Sequence, residues 1–293
     1  MPCAEPPQGK LETEAKPLAS KNQMRLLCAL SIALTLAAQD ARDIVRRSVA
    51  RDQRNWELAR NYTYVESTKD RELDGAGRVT KEESEVYEIV YLYGQRYHHL
   101  IRKNGQPLDA RQDRKEKEKL AKFTAKYEHE TEEHRKKRLA DVEKHRRKQR
   151  EFAREIPDAF DFRIAGEEKV DGRDTWVIAA EPHPGYRPKL ENTKYLAKIH
   201  GKLWIEKKDL DWVKAQAETI DTISFGLVLF RLFKGARIEF EQTRINDEIW
   251  LPKRTHVTGN ARVALFKKGG GEYESVYGEY RKFQTDSRII DSR

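Results

Sequence analysis

Histidines and carboxylates stand close together at "HETEEH", residues 129–134, a stretch that resembles a zinc peptidase motif. That motif requires two histidines four residues apart, so that both lie on one face of a helix. His129 and His134 are five residues apart, which separates them by roughly 140° around a helix. The stretch therefore does not predict a metal site.

Other candidate groups predict no reaction either. His98 and His99 are neighbours in a predicted strand and point to its opposite faces, while His183 lies in a proline-bounded loop. "KKGGGE" lacks the Lys-Ser/Thr pair and the helix of a phosphate loop, so we interpret it as a hairpin turn. No isolated carboxylate pair is suited to acid-base catalysis. We expect neither an enzyme nor a cofactor.

An apolar segment near the N-terminus predicts the compartment. Lys21 and Arg25 precede 13 apolar or small residues, 26–38, which polar residues then follow. This is the layout of a secretory signal peptide, with cleavage after Ala37 or Ala38. A transmembrane helix would need about 20 residues. We therefore expect export to the periplasm.

The domain boundaries follow from this segment. Residues 1–38 are predicted to be a leader and signal peptide, with Met1 or Met24 as the start, and residues 39–293 to be a single domain. Cys3 and Cys28 both precede the predicted cleavage point. The mature protein would then have no disulfide and no cysteine ligand.

A charged segment interrupts this domain at about 109–156. Residues 110–155 hold 17 Lys or Arg against 11 Asp or Glu, with no Gly or Pro, so the segment is predicted to be helical. Leu120, Phe123 and Tyr127 share a helix face, but the middle of the segment has little apolar surface to bury. We expect one long, solvated helix that projects between residues 109 and 156 and whose removal leaves the remaining domain folded.

A basic helix can bind nucleic acid. Export separates this one from chromosomal nucleic acid, and its aromatic residues are too few for base stacking. We therefore expect no nucleic-acid partner. An anionic membrane surface or an acidic envelope protein is the alternative partner of the insertion.

The rest of the domain predicts an antiparallel sheet. After a helix at residues 40–59, strand patterns rich in β-branched and aromatic residues follow one another with short turns at "DGAG", "NGQP" and "VDGR". Short turns join antiparallel rather than parallel strands. A closed barrel and a half-barrel capped by the first helix both fit this pattern, and either gives a mainly β, α+β fold.

One apolar stretch, "SFGLVLFRLFKG" at residues 224–235, does not alternate as a half-exposed strand would. Two interpretations remain open. The stretch either plugs the core as a buried strand or short helix, or it lines or gates an apolar cavity.

Three stretches together resemble the outer-membrane lipoprotein-sorting (LolA/LolB-like) family: "YEIVYLYGQRYHHLIRKNG", "FRIAGEEKVDGRDTWVIAAEP" and "GKLWIEKKDLDWVKAQ". The resemblance covers about residues 40–105 and 158–285, and the insertion is not part of it. It implies an unclosed β-barrel capped by helices, in a periplasmic carrier or sensor that binds lipid or lipoprotein acyl chains.

Candidate ligand-binding residues are the apolar side chains of the predicted strands. They are Ile89, Tyr91, Leu203, Ile205, Ile238 and Phe240, with Phe225, Leu227 and Leu229 as a gate. An ordinary protein core would contain the same residue types, so the pattern is compatible with both roles.

Overall fold

A computed structural model describes residues 40–283 of the chain, apart from residues 53, 56, 226–229 and 264–266. The described chain consists mainly of strands in one antiparallel sheet, with helices before it and inserted into it. No helix in this described part is long and apolar enough to cross a membrane.

Thirteen strands are described. They are β1 (Tyr62–Leu73), β2 (Val79–Leu92), β3 (Gln95–Lys103), β4 (Gln106–Pro107), β5 (Phe160–Val170), β6 (Arg173–Pro182), β7 (Ile199–Glu206), β8 (Trp212–Thr219), β9 (Ile223–Phe225), β10 (Phe230–Leu232), β11 (Arg237–Ile245), β12 (Ile249–Val263) and β13 (Lys267–Lys282).

The sheet is unclosed. Hydrogen-bonded neighbours follow the order β4-β3-β2-β1-β13-β12-β11-β8-β7-β6-β5, and β9 and β10 form a small hairpin attached to β12. Among the described strands, β4 and β5 end this order without pairing with each other. The α+β, half-barrel prediction is therefore confirmed, and the closed barrel is excluded.

Tight turns fix the register of several hairpins. Tyr93-Gly94, which joins β2 to β3, and Asp171-Gly172, which joins β5 to β6, have positive φ at both central residues. This is the type I′ geometry, whose twist matches that of the paired strands. The prediction of a hairpin turn at Gly269–Gly271 is wrong. These residues are part of β13, where Gly270 pairs with both Leu73 and Asn260.

Three α-helices accompany the sheet. They are α1 (residues 40–58), α2 (Ala110–Glu128) and α3 (Glu132–Ala159). A 3-10 turn, Ala59–Asn61, links α1 to β1, and a second 3-10 turn, Thr193–Lys198, precedes β7.

The charged insertion is two helices rather than the single long helix that composition predicted. The Asp109 side chain accepts hydrogen bonds from the backbone N–H groups of Arg111 and Gln112, and the Gln112 side chain accepts one from the Asp109 N–H. This capping box begins α2. The Thr131 hydroxyl accepts the N–H of His134 and begins α3, so the two helices are separated at 129–131.

One row of cross-strand partners shows how apolar and polar residues are distributed across the sheet. Partners in register share a face, and we call the face that carries this row the inner face. From β5 to β3 the row is Ile164, Ile178, Leu203, Ala215, Phe240, Thr255, Ser275, Thr68, Glu85 and Lys103. The row is apolar at the β5 end and polar at the β3 end.

The main core covers the apolar half of the inner face. Ala41, Val45 and Val49 of α1 are buried there against Ile178 and Ile205 of the sheet. The last turns of α3 add Phe152, Ala153, Ile156 and Ala159 to the same cluster. Helices therefore fill the inner face over β5–β8.

Candidate functional site

A cavity of about 1130 Å³ lies over the other half of the inner face. Its floor comes from β1, β2, β3, β11, β12 and β13, and the end of α1 closes one side. Residues 126–150, which we call the lid, supply the opposite wall: the end of α2, the break at 129–131 and the first two-thirds of α3. The insertion thus lines a cavity, which differs from the solvated appendage that its composition predicted.

Aromatic side chains dominate the floor. The ring of Tyr64 lies 5.3 Å from that of Tyr280 and 6.1 Å from that of Tyr277, and all three line the cavity. The Tyr280 hydroxyl donates to the Pro252 carbonyl at 2.5 Å. Burial raises the pKa of Tyr64 to about 12, and burial also raises the pKa of Tyr280 well above its usual value. These phenols stay neutral and form a fixed apolar surface with polar edges.

One arginine fastens the lid to the sheet. The Arg138 guanidinium donates to the Glu130 carboxylate at 2.6 Å and to the Tyr93 carbonyl at 2.7 Å. It also lies 4.8 Å from the ring centre of Tyr127, which is 5.7 Å from that of Tyr93. The hydrogen bond from Arg138 lowers the pKa of Glu130. The contact is therefore a charge-assisted clip between α3, the helix break and the β2–β3 turn.

A second contact holds α2 on the sheet. The Phe123 ring lies 4.9 Å from that of Tyr97 in β3 and 4.8 Å from that of Tyr127. This is the helix face that Leu120, Phe123 and Tyr127 share in the sequence. That spacing was the available signal that the insertion packs against the domain.

Two of the predicted ligand-binding residues, Tyr91 and Phe240, line the cavity. Ile89 is fully buried on the same half of the inner face, as the cross-strand partner of Tyr64. Leu203 and Ile205 lie on the inner face as well, but in the main core beneath the helices.

The remaining predicted residues lie apart from the cavity lining or outside the described residues. Ile238 packs on a small cluster of Ile223, Leu232 and Ala236 beside the β9–β10 hairpin. Phe225 ends β9, and Leu227 and Leu229 are outside the described residues. The predicted leader and signal peptide, residues 1–38, is outside them too.

Sequence reasoning missed the charged part of the lining. Arg60, Arg96 and Arg146 come from the 3-10 turn, β3 and α3, and all three side chains line the cavity. No local pattern connects positions so far apart in the chain. His129 and His134 line the cavity as well, but in the described part of the chain no group of three or more His, Cys, Asp or Glu side chains could hold a metal ion.

The fold and the site define a class: an α+β protein in which an unclosed antiparallel sheet and a helical lid enclose an aromatic cavity. No family model matches the sequence, and no curated protein matches it significantly.

Solved structures do show similarity. One is a DUF1329 family protein from Desulfovibrio piger, 15% identical, with a TM-score of 0.34 and coverage of 86% of this chain and 95% of that one. An outer membrane lipoprotein-sorting protein domain from Vibrio parahaemolyticus is 11% identical, with a TM-score of 0.30 and coverage of 84% and 95%. A LolA superfamily protein from Nitrosomonas europaea is 11% identical, with a TM-score of 0.27 and coverage of 83% and 93%.

Proposed function

We propose that this protein is a periplasmic carrier or sensor that holds an apolar ligand, lipid or lipoprotein acyl chains, in its cavity without catalysing a reaction. The observation that carries the proposal is the cavity itself, about 1130 Å³ in volume and floored by aromatic rings. Small-molecule pockets commonly measure about 300–1,000 Å³. The volume therefore suits a ligand of lipid size.

The energetics favour a chain-like ligand. Each methylene removed from water contributes about 0.8 kcal/mol, so about ten methylenes contribute about 8 kcal/mol before association costs. The rings of Tyr64, Tyr277 and Tyr280 are already packed on one another, so a ligand would order few additional side chains on binding. The periplasmic part of the proposal rests on the signal-peptide pattern of residues 21–40.

Native mass spectrometry of protein purified from the periplasm, followed by lipid extraction, tests the proposal. Bound lipid or acylated peptide would support it. A fluorescent fatty acid then measures uptake by the purified protein. Phe240→Asp puts a charge on the cavity floor, and we expect it to weaken uptake at least about tenfold.

The matched control is Val276→Asp. Val276 is 44% exposed in β13 and pairs with Ser67, on the face of the sheet opposite to that of Phe240. This variant should bind the fluorescent fatty acid as the unchanged protein does. A mass without bound lipid, together with no uptake of the probe, would overturn the carrier.

The second candidate function is an envelope interaction protein whose charged helices bind an anionic membrane or an acidic partner. The observation that favours it is the exposure of basic side chains on the insertion, such as Lys117 and Arg147. Both, however, pair with carboxylates one turn away, Asp113 and Glu151. Co-sedimentation with anionic vesicles across a salt series distinguishes the functions, because surface attraction of this kind weakens as salt rises.

A further inference from the structure

The cavity lining contains arginine side chains that an apolar ligand alone would not require, one on the floor, one at the side and one on the lid. Arg60, Arg96 and Arg146 all line the cavity. Among the described side chains, no carboxylate forms an ion pair with Arg60 or Arg96. The Arg60 Nε donates instead to the backbone carbonyl of Glu57 at 3.2 Å. The positive charge of these arginines is therefore only partly balanced by ion pairs with protein carboxylates.

A single carboxylate, that of Glu143, serves two arginines of α3, Arg146 and Arg150. The Arg150 guanidinium donates to the Glu143 carboxylate, and the Arg146 Nη1 lies 3.9 Å from it. Arg60 is close enough to Glu143 to contribute to the lowering of its pKa, after the hydrogen bond from Arg150 and the charge of Arg146. Three guanidinium groups thus surround one carboxylate, which leaves a positive surplus beside the cavity.

The pKa shifts of Arg146 and Arg96 reflect the charges around them. Burial lowers the pKa of Arg146, and the neighbouring positive charge of Arg60 lowers it further. Desolvation opposes the charge on Arg96, but the phenol oxygens of Tyr64 and Tyr91 and the Glu66 carboxylate favour it, and the balance raises the pKa of Arg96. A bound anion would stabilise the neighbouring charges of Arg60 and Arg146.

Tyr91 lies near two of these arginines. Its phenol interacts electrostatically with both Arg96 and Arg146.

The geometry points to an anion-binding subsite at Arg60, Arg96 and Arg146 that holds the carboxylate or phosphate head of an amphiphile, while its chain lies on the tyrosine floor. This inference rests on the proposed function and adds the chemical class of the ligand. Guanidinium groups suit such heads because their N–H groups match two oxygens of a carboxylate or phosphate at once.

Binding assays with ligands that share one chain test the subsite. The probes are hexadecanoic acid, its neutral analogue hexadecanol, the corresponding alkyl phosphate and inorganic phosphate without a chain. We expect the acid and the alkyl phosphate to bind about tenfold or more tightly than the alcohol. Arg146→Gln and Arg96→Gln should each remove most of that preference.

Arg147→Gln is the matched control, since Arg147 is the next residue of α3, its side chain is 65% exposed and it lies outside the cavity lining. It should retain the preference for charged heads. Arg60→Gln supplies an independent variant outside α3 in case an α3 substitution disturbs the lid, which thermal unfolding would reveal.

The outcomes separate the two proposals. Equal binding of acid and alcohol would overturn the anionic subsite and leave the apolar carrier standing. Inorganic phosphate that bound as tightly as the alkyl phosphate, with the same dependence on the arginines, would overturn the amphiphile and assign a free-anion site. If no chain-bearing probe bound at all, the carrier would fail, and the subsite with it.

Discussion

Over β5–β8, helix α1 and the end of α3 pack directly on Ile178 and Ile205, whereas over β11–β13 and β1–β3 the lid stands above a cavity. The same helix, α3, takes part in both halves. Its last turns carry Phe152 and Ile156, which are packed into the core, but between 132 and 150 its large apolar residues are only Leu139 and Val142. Packing a charged helix face against a sheet would remove its charges from water at a large cost in free energy, so space remains beneath the helix.

The lid and the core are therefore separable parts of one inner face. The core half has matched apolar surfaces on helices and strands. In the cavity half, aromatic and charged side chains face each other across space, with the helices held by contacts at Arg138 and Phe123. Stability should therefore depend on the first half and ligand binding on the second.

The largest expected effect comes from removing the lid together with most of α2. Replacing residues 112–150 with a flexible Gly/Ser linker should preserve cooperative unfolding, because Phe152 and the later core residues of α3 remain, but ligand uptake should be lost. Extending the replacement through Ala159 should destabilise the domain by several kcal/mol, since the buried Ala159 and three partly buried side chains of α3 leave the core. Urea unfolding and fatty-acid uptake measure the two effects. Loss of cooperative unfolding in the shorter variant would show that the lid belongs to the core.

Substitution within each half gives the next largest difference. Ile178→Ala should lower the free energy of unfolding by about 2–5 kcal/mol, because Ile178 is fully buried in the core half. Phe240→Ala should cost about 1 kcal/mol, since part of its ring already faces the cavity, but it should weaken ligand uptake. Urea titrations compare the two. Equal destabilisation would contradict the separation of the halves.

Loosening the clip should change the lid and little else. Arg138→Ala removes the hydrogen bonds to Glu130 and Tyr93, so we expect about tenfold faster hydrogen exchange in residues 126–142 and faster ligand release. The control is Arg135→Ala on the same helix, where the side chain is 60% exposed and pairs only loosely with Glu132 at 3.7 Å. If both variants exchanged alike, the clip would not hold the lid.

The smallest effect is a pH dependence of the same clip. Because the pKa of Glu130 is lowered in the folded protein, the stabilisation is present above the ordinary glutamate pKa of about 4.3 and is lost as pH falls through the lowered value. Lid protection, corrected for intrinsic exchange rates, should be constant from about pH 7 to 5 and fall below about pH 4. Glu130→Gln should show the weakened lid at neutral pH. Unchanged protection in that variant would contradict the assignment.

Much of the sheet could be predicted because its signals are local. Asn104-Gly105 and Asp171-Gly172 both take the left-handed conformations that a two-residue hairpin turn requires. The alternation of residue types around them places the strands within a few residues. The Gly269–Gly271 triplet was misassigned because glycine also occurs in strands where a neighbouring chain comes close, as at Gly270, where an added Cβ would lie 3.3 Å from that of Leu73.

The candidate site was predicted less completely. Tyr91 and Phe240 line the cavity, but an apolar strand residue has the same appearance in sequence whether a helix or a ligand covers it, as Ile205 shows. The insertion looked solvated because its charges outnumber its apolar residues. The few contacts that hold it, such as Phe123 on Tyr97, involve partners in another element.

The sequence by itself determined the antiparallel strands, the hairpin turns, the first helix and the helical character of the charged insertion. These properties depend on periodicity and on the conformational preferences of neighbouring residues, which act over a few positions. Only the tertiary structure decided which half of the inner face is filled and that Arg60, Arg96 and Arg146 line the same cavity. Those outcomes depend on sheet order and long-range packing, which join residues that are distant along the chain.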